Sequence, residues 1–311
     1  MKNLASVVSI ILVLFMSFFL MTCADDSNSV LDEPEILTED TVGEGFFTYS
    51  GYAPFANKVM NVYYYIPANS NSNTPILFVF HGTGRNAKDY RDAMILKAAK
   101  YNFIVITPEF SVANFPDGDS FNLGNVFLDG DNPSASTLNP ESEWTFSVIE
   151  PLFDFVKQSI NNTSEKYHIF GHSAGAQFAH RFVMFKPNAR FDKVVASASG
   201  WYTTPEFTIS FPYGYKKSPL ETISLSNLFQ KKLIIQIGDL DNDPNSSGLR
   251  HNQFADAQGL HRFDRAVYFF DMALEIANTN KLQFQWQLFI NKGVDHNYII
   301  ASKNAADLIF K

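Results

Sequence analysis

Two runs, residues 75–80 (PILFVF) and 103–107 (FIVIT), are too short for helices and carry no charge. A strand that is apolar at every position must be covered on both faces, the situation of a central strand in a parallel sheet. Further strand-like runs at 167–170, 193–198, 233–237 and 282–290 alternate with helical patterns at 88–101, 144–160, 174–185, 262–277 and 301–310. Phe178, Ala179, Phe182 and Val183 fall on one helical face, as a sheet-covering helix requires. The alternation predicts an α/β chain with a mostly parallel central sheet and helices on both faces. Two earlier strand patterns, 45–50 and 59–66, fit an antiparallel pair at the sheet edge. The stretch 110–142 breaks the rhythm with Gly, Asp, Asn and Pro, and a loop of that length is expected to act as a lid or a pocket wall.

Phenylalanine occupies 31 of 311 positions and hydrophobic residues make up 46%, enough to cover such a sheet and to exclude a chain disordered throughout. The net charge of -8 argues against nucleic acid or an anionic membrane surface as partner. Cys23 is the single cysteine, so neither an internal disulfide nor a thiolate metal site is expected. No cofactor is expected either.

Lys2 precedes an apolar run at 7–21 that is shorter than the roughly 20 residues needed to span a bilayer, and polar residues follow at once. It reads as a signal peptide. Leu20-Met21-Thr22-Cys23 resembles the bacterial lipobox, with a leucine three places before a cysteine that is lipidated, although Thr22 departs from the usual Gly, Ala or Ser. Asp25-Asp26 resembles the surface-export signals of some bacterial lipoproteins. The polar residues that follow have too little apolar surface to fold. The expected organisation is a lipoprotein-type signal at 1–22, a flexible polar tether at 23–43 and a folded domain at 44–311. Lipid at Cys23 would be the only membrane contact, holding the protein to the outer membrane or the cell surface. An ordinary secretory signal, with a secreted or periplasmic product, is the alternative.

Gly171-His172-Ser173-Ala174-Gly175 matches the nucleophile-elbow pattern G-x-S-x-G. Three fixed positions of this kind arise by chance about once in ten chains of this length. Here the pattern falls between a strand and a helix, where a sharp turn would lift the Ser173 hydroxyl above the sheet edge. The start of the following helix would direct free N–H groups at a reacting carbonyl.

From about Phe46 onward the chain resembles the α/β-hydrolase family of serine hydrolases. The resemblance implies an oxyanion hole partly built from the loop after an early strand. His81-Gly82-Thr83-Gly84 stands in that place, with the N–H groups of Thr83 and Ala174 as the implied donors. It also implies the chain order serine, acid, histidine. His81, His168, His172 and His180 come too early for the base, and His251 and His261 leave no room for another strand after the acid. His296 remains. Family members commonly carry the acid three residues after the glycine that ends a strand, which selects Asp241 in Gly238-Asp239-Leu240-Asp241-Asn242-Asp243, with Asp239 and Asp243 as alternatives. A calcium loop of the EF-hand type fails at Pro244 and Arg250, leaving a looser calcium site here or at Asp129-Gly130-Asp131 as the rival.

Gln258-Gly259-Leu260-His261-Arg262 and Arg265 resemble secreted hydrolases related to poly(hydroxybutyrate) depolymerases and feruloyl esterases. Both arginines are expected to pair with acidic neighbours. Trp201 and Tyr202 are expected at an acyl or aryl pocket, or in the core. These residues together predict an esterase in which Ser173 attacks, His296 moves the proton and Asp241 holds the imidazole. The substrate would be a polyester, an aryl ester or an acylated polysaccharide. A serine peptidase or amidase, and a catalytically silent surface-binding lipoprotein, are the alternatives.

Overall fold

In the computed structural model, which describes residues 33–311, the chain runs β1 (Gly43–Tyr49), β2 (Met60–Ile66), β3 (Ile76–Phe80), α1 (Ala87–Tyr101), β4 (Ile104–Pro108), α2 (Ile149–Ser159), β5 (Tyr167–His172), α3 (Ala174–Phe185), β6 (Phe191–Ser197), α4 (Leu225–Phe229), β7 (Lys232–Gly238), α5 (Gln253–Asp256), α6 (Arg262–Thr279), β8 (Gln287–Asn291) and α7 (Tyr298–Phe310). The strands form one sheet in the order β1-β2-β4-β3-β5-β6-β7-β8. The β1/β2 and β2/β4 pairs are antiparallel and all others parallel. This is the sheet that the apolar runs and the antiparallel edge predict.

Successive side chains on a strand point to opposite faces, and the core divides accordingly. Leu77 and Val79 of β3 meet Tyr90 and Met94 of α1 and Ala301, Ala305 and Ile309 of α7. On the other face, Phe78 of β3 packs against Phe153 of α2 and Phe80 against Phe178 of α3, while α6 covers β7 and β8. Every residue of β3 and β4 is buried, as strands covered on both faces must be.

The order positions the site. The chain leaves β3 for β4 on one side and later returns to β5 on the other, so β3 is the switch point of the sheet, where crevices open at the carboxyl ends of strands. Phe80 pairs with Gly171. Segments 81–84 and 172–175 therefore leave the sheet side by side.

Three expectations change. The segment 33–43, expected in the tether, packs on the edge strands: Leu37 is buried, Glu35 N–H donates to Phe46 O at 2.8 Å, and the Tyr64 hydroxyl bonds the Glu35 carboxylate. A single apolar anchor among acidic residues holds it there. The last strand begins at Gln287, because Phe284 and Trp286, whose alternation reads as strand, pack instead against Phe229 of α4 and against Phe269 and Phe270 of α6. The stretch 110–142, polar on average, buries Phe110, Phe115, Phe121, Val126 and Phe127. Phe110 and Phe121 pack on Phe178 of α3 at 5.3 and 5.9 Å between ring centroids, so this stretch is fastened to the helix that follows Ser173. Among the described residues no helix is long and apolar enough to cross a membrane.

Candidate active site

Ser173 stands between the end of β5 and the start of α3 with φ 58° and ψ -117°, a conformation that a side-chain-bearing residue adopts only under constraint. The constraints are visible. Its N–H donates to Ser197 O at 2.9 Å, and its own carbonyl accepts from Ala176 and Gln177 N–H, both at 3.1 Å. A Cβ on Gly171 would lie 2.1 Å from Gly175 O, and one on Gly175 would lie 2.0 Å from Phe80 O. Only glycine permits this approach of β5, α3 and β3, which is why the motif has glycines two before and two after the serine.

Beside it lies the loop 81–84. A side chain on Gly82 would sit 3.5 Å from Ser173 Cβ. Among the described residues, neither Thr83 N–H nor Ala174 N–H donates a backbone hydrogen bond, so both donors are available to an incoming oxygen. The buried His81 ring sets the loop: Nδ1 lies 2.9 Å from Gly82 O, and Nε2 accepts from Phe110 N–H at 3.0 Å. Because Nε2 accepts, Nδ1 carries the proton and donates. Burial keeps the ring neutral, lowering its pKa to about 4. Carbonyl and N–H point opposite ways across a trans peptide. Holding Gly82 O therefore fixes the direction of Thr83 N–H.

Asp241 and His296, in loops after β7 and β8, are brought together: His296 Nδ1 lies 2.6 Å from Asp241 Oδ2. A carboxylate only accepts, so Nδ1 bears the proton and the lone pair of the neutral ring lies on Nε2. The ring centroid of His296 is 4.6 Å from that of His172, the residue before Ser173. The other two aspartates of the cluster do different things. Asp239 accepts from Gly293 N–H at 2.7 Å, which ties the acid loop to the loop carrying His296, and this bond leads the causes that lower its pKa. Asp243 accepts from Asn245 N–H in a local turn. A Cβ on Gly238 would lie 2.1 Å from Val294 O, so the two loops also meet at the backbone.

Residues 258–265 act as a brace. Gln258 holds both backbone groups of Tyr202, accepting from its N–H at 2.9 Å and donating to its carbonyl at 2.8 Å. Arg265 donates to Gly200 O at 2.6 Å and pairs with Asp256 at 3.0 Å. Arg262 reaches Asp241 Oδ1 at 3.3 Å. Both arginines thus meet acidic side chains.

Trp201 and Tyr202, expected at a pocket or in the core, are 4% and 0% exposed. Tyr202 is a core residue, stacked on Phe269 at 4.4 Å. Trp201 packs against the guanidinium of Arg181, 4.3 Å from its ring, and Arg181 hydrogen-bonds Thr203, Asn122 and Gln177, tying the 110–142 stretch, α3 and the loop after β6 together.

Tyr90 and His172 were not foreseen as site residues. The Tyr90 hydroxyl lies 3.0 Å from His172 Nδ1, and a side chain on Gly82 would sit 3.0 Å from the same oxygen. It so joins the loop 81–84 to the elbow. Burial, followed by the nearby His296, pushes the His172 pKa well below its ordinary value. No local pattern marks Tyr90, which is 82 residues away in sequence from its partner.

No protein-family model matches the chain, and no curated protein sequence does. Solved structures do. The chain is 37% identical to poly(aspartic acid) hydrolase-1 from Sphingomonas sp. KT-1, with a TM-score of 0.81 over 87% of this chain and 100% of that one. It is 30% identical to LpqC, a poly(3-hydroxybutyrate) depolymerase from Bordetella parapertussis, with a TM-score of 0.80 over 87% and 90% of the two chains. An S-formylglutathione hydrolase from Agrobacterium tumefaciens, at 16% identity and a TM-score of 0.53 over 86% and 92%, shares the fold.

Proposed function

From its place in the α/β-hydrolase family, to which this chain belongs as one of the serine esterases related to poly(3-hydroxybutyrate) depolymerases, we propose that it cleaves carboxylic esters through an acyl-enzyme on Ser173. The observation that carries the reading is the 2.6 Å bond between His296 Nδ1 and Asp241 Oδ2, beside a serine in a strained turn. That bond leaves Nε2 as the base. Nε2 takes the Ser173 proton as Oγ attacks the ester carbonyl. The resulting oxyanion accepts from Thr83 and Ala174 N–H, donors of a kind whose loss costs about 2.7–4 kcal/mol each. The imidazolium then passes its proton to the departing alkoxide oxygen, so that the alcohol leaves. Water, deprotonated by the same nitrogen, attacks the acyl-enzyme and releases the acid.

Polymer-chain esters are the substrate class that the likeness to a poly(3-hydroxybutyrate) depolymerase supports. A second reading, cleavage of an amide polymer, is supported by the likeness to a poly(aspartic acid) hydrolase. The same three side chains serve either bond. Export on the signal at 1–22 and lipidation of Cys23 complete the proposal; both lie outside the described residues. Cys23→Ala should move the protein from the membrane to the soluble fraction.

The experiment is hydrolysis of p-nitrophenyl butyrate, poly(3-hydroxybutyrate) and poly(aspartic acid) by wild type and Ser173→Ala, with mass spectrometry after a fluorophosphonate. Wild type should gain one adduct, on Ser173, and the variant should lose at least a thousand-fold in kcat with the ester. Full activity of the folded variant would overturn the mechanism. The ratio of the two polymers decides between ester and amide.

A further inference from the structure

The carboxylate of Asp241 has two oxygens and the site uses one of them for His296. The other, Oδ1, faces the guanidinium of Arg262, the first residue of α6, at 3.3 Å. Both side chains are almost wholly buried, at 4% and 5% exposure. Arg262 is itself held in place: Nη1 donates to Ser246 Oγ at 2.7 Å and Nη2 to Ser247 O at 3.5 Å. The backbone agrees with the side chain, since Phe263 N–H donates to Asp241 O at 3.0 Å and His261 caps the helix by accepting from Asp264 N–H. The first turn of α6 is thus docked on one residue of the acid loop by two independent bonds.

A buried carboxylate with an unpartnered oxygen is costly, and it can turn about its last torsion to exchange the oxygen that meets the histidine. We propose that Arg262 is a positioning residue for the reaction: by holding Oδ1 it fixes the plane of the carboxylate, so that Oδ2 alone meets Nδ1 of His296. The inference rests on the reading of Asp241 as the acid of the triad. It assigns a task to the segment 258–265 beyond packing. Gln258 and Arg265 brace the loop after β6, whereas Arg262 acts on the acid.

The test is a double-mutant cycle on p-nitrophenyl butyrate hydrolysis, with Arg262→Met, Asp241→Asn and the pair, each verified as folded by circular dichroism and thermal melting. Arg262→Met is expected to lower kcat about ten- to hundred-fold with KM within two-fold of wild type. In the Asp241→Asn background the same change should cost less than three-fold, because its route to the histidine is already lost. Arg262→Gln, which keeps a neutral donor for Oδ1 and Ser246, should recover part of the loss. Ser246→Ala releases the guanidinium without altering the helix and should lower kcat about three-fold, which keeps the test open if Arg262→Met does not fold. Equal losses from Arg262→Met in both backgrounds would show a structural role and overturn the inference. So would an unchanged kcat in folded Arg262→Met, or in both Arg262→Gln and Ser246→Ala. Full activity of Asp241→Asn alone would instead overturn the triad reading.

Discussion

Lowering the pH from 7.5 to 5.0 should unfold this protein far more readily than its acidic composition suggests, because three buried histidines, His81, His172 and His180, and the half-buried His168 resist protonation in the folded state. His81 Nε2 accepts from Phe110 N–H, His168 Nδ1 from Lys193 N–H and His180 Nε2 from Thr203 N–H, and His172 Nδ1 lies 3.0 Å from the Tyr90 hydroxyl. Protonation would end the three bonds donated by backbone N–H groups and place cations in or near the interior. Burial accordingly lowers the pKa of His81 and of His168 from 6.5 to about 4, and pushes His172 and His180 well below 6.5. The folded values are depressed, so as the pH falls the unfolded chain takes up protons first. The stabilisation is therefore complete above 6.5 and is lost as the pH falls toward 4. Each of His81 and His168 contributes about 3 kcal/mol in full, of which about 2 kcal/mol is gone by pH 5. The two alone thus remove about 4 kcal/mol from a total that is typically about 5–15 kcal/mol, and His172 and His180 act in the same direction. Asp119, whose pKa burial raises, opposes the trend as a single group. Urea unfolding at pH 7.5, 6.0 and 5.0, followed by the emission of the buried Trp144, Trp201 and Trp286, measures the loss. His168→Gln supplies an acceptor that does not titrate and should flatten the curve. Stability at pH 5.0 within about 1 kcal/mol of that at pH 7.5 would refute the reasoning, since a shift of one unit in one such group is worth more than that.

Three further outcomes follow from the geometry. Tyr90→Phe strands the buried His172 Nδ1 and removes the hydroxyl that lies between the elbow and the loop 81–84, so it should cost about 1–3 kcal/mol in urea unfolding and lower kcat. Gly175→Ala sets a methyl 2.0 Å from Phe80 O, a backbone atom that cannot turn aside; a loss of about 3 kcal/mol or more, or no soluble protein, is expected on expression and melting. Leu37→Ala should destabilise the fold by about 2–3 kcal/mol, whereas a tether would make it silent, and a thermal melt separates the two.

The central sheet was legible because burial on both faces leaves strands such as β3 and β4 without a charged position, a pattern that short helices share only rarely. Ser173 was legible because its strained turn demands glycines at fixed spacing. Asp241 and His296 lie 55 residues apart, and no spacing rule connects them; only the family order proposes the pair. What stayed hidden has a common cause. Leu37 is the one buried side chain in an acidic segment whose Ile36 and Val42 are exposed, and the phenylalanines of 110–142 are spaced irregularly because they fill gaps between elements and do not lie along one. Tyr90 reads as an ordinary apolar position of α1, and its hydroxyl acquires meaning only where β5 arrives beside it. Trp286 and Phe284 mimic a strand because alternation reports burial on one side, not hydrogen bonding to a neighbour.

The aromatic seam that binds residues 110–142 to α3 bears on how such a protein can acquire new specificity. Phe110 and Phe121 pack on Phe178 of the helix that follows Ser173, and Asn122 is hydrogen-bonded to Gln177 one turn beyond Ser173. Replacing the whole segment would therefore disturb the Ser173 turn as well as the segment's own surface. Divergence is free only at the side chains turned to solvent, Val112 and Leu128 among them, so tailoring what this scaffold accepts is a matter of repainting a fixed frame.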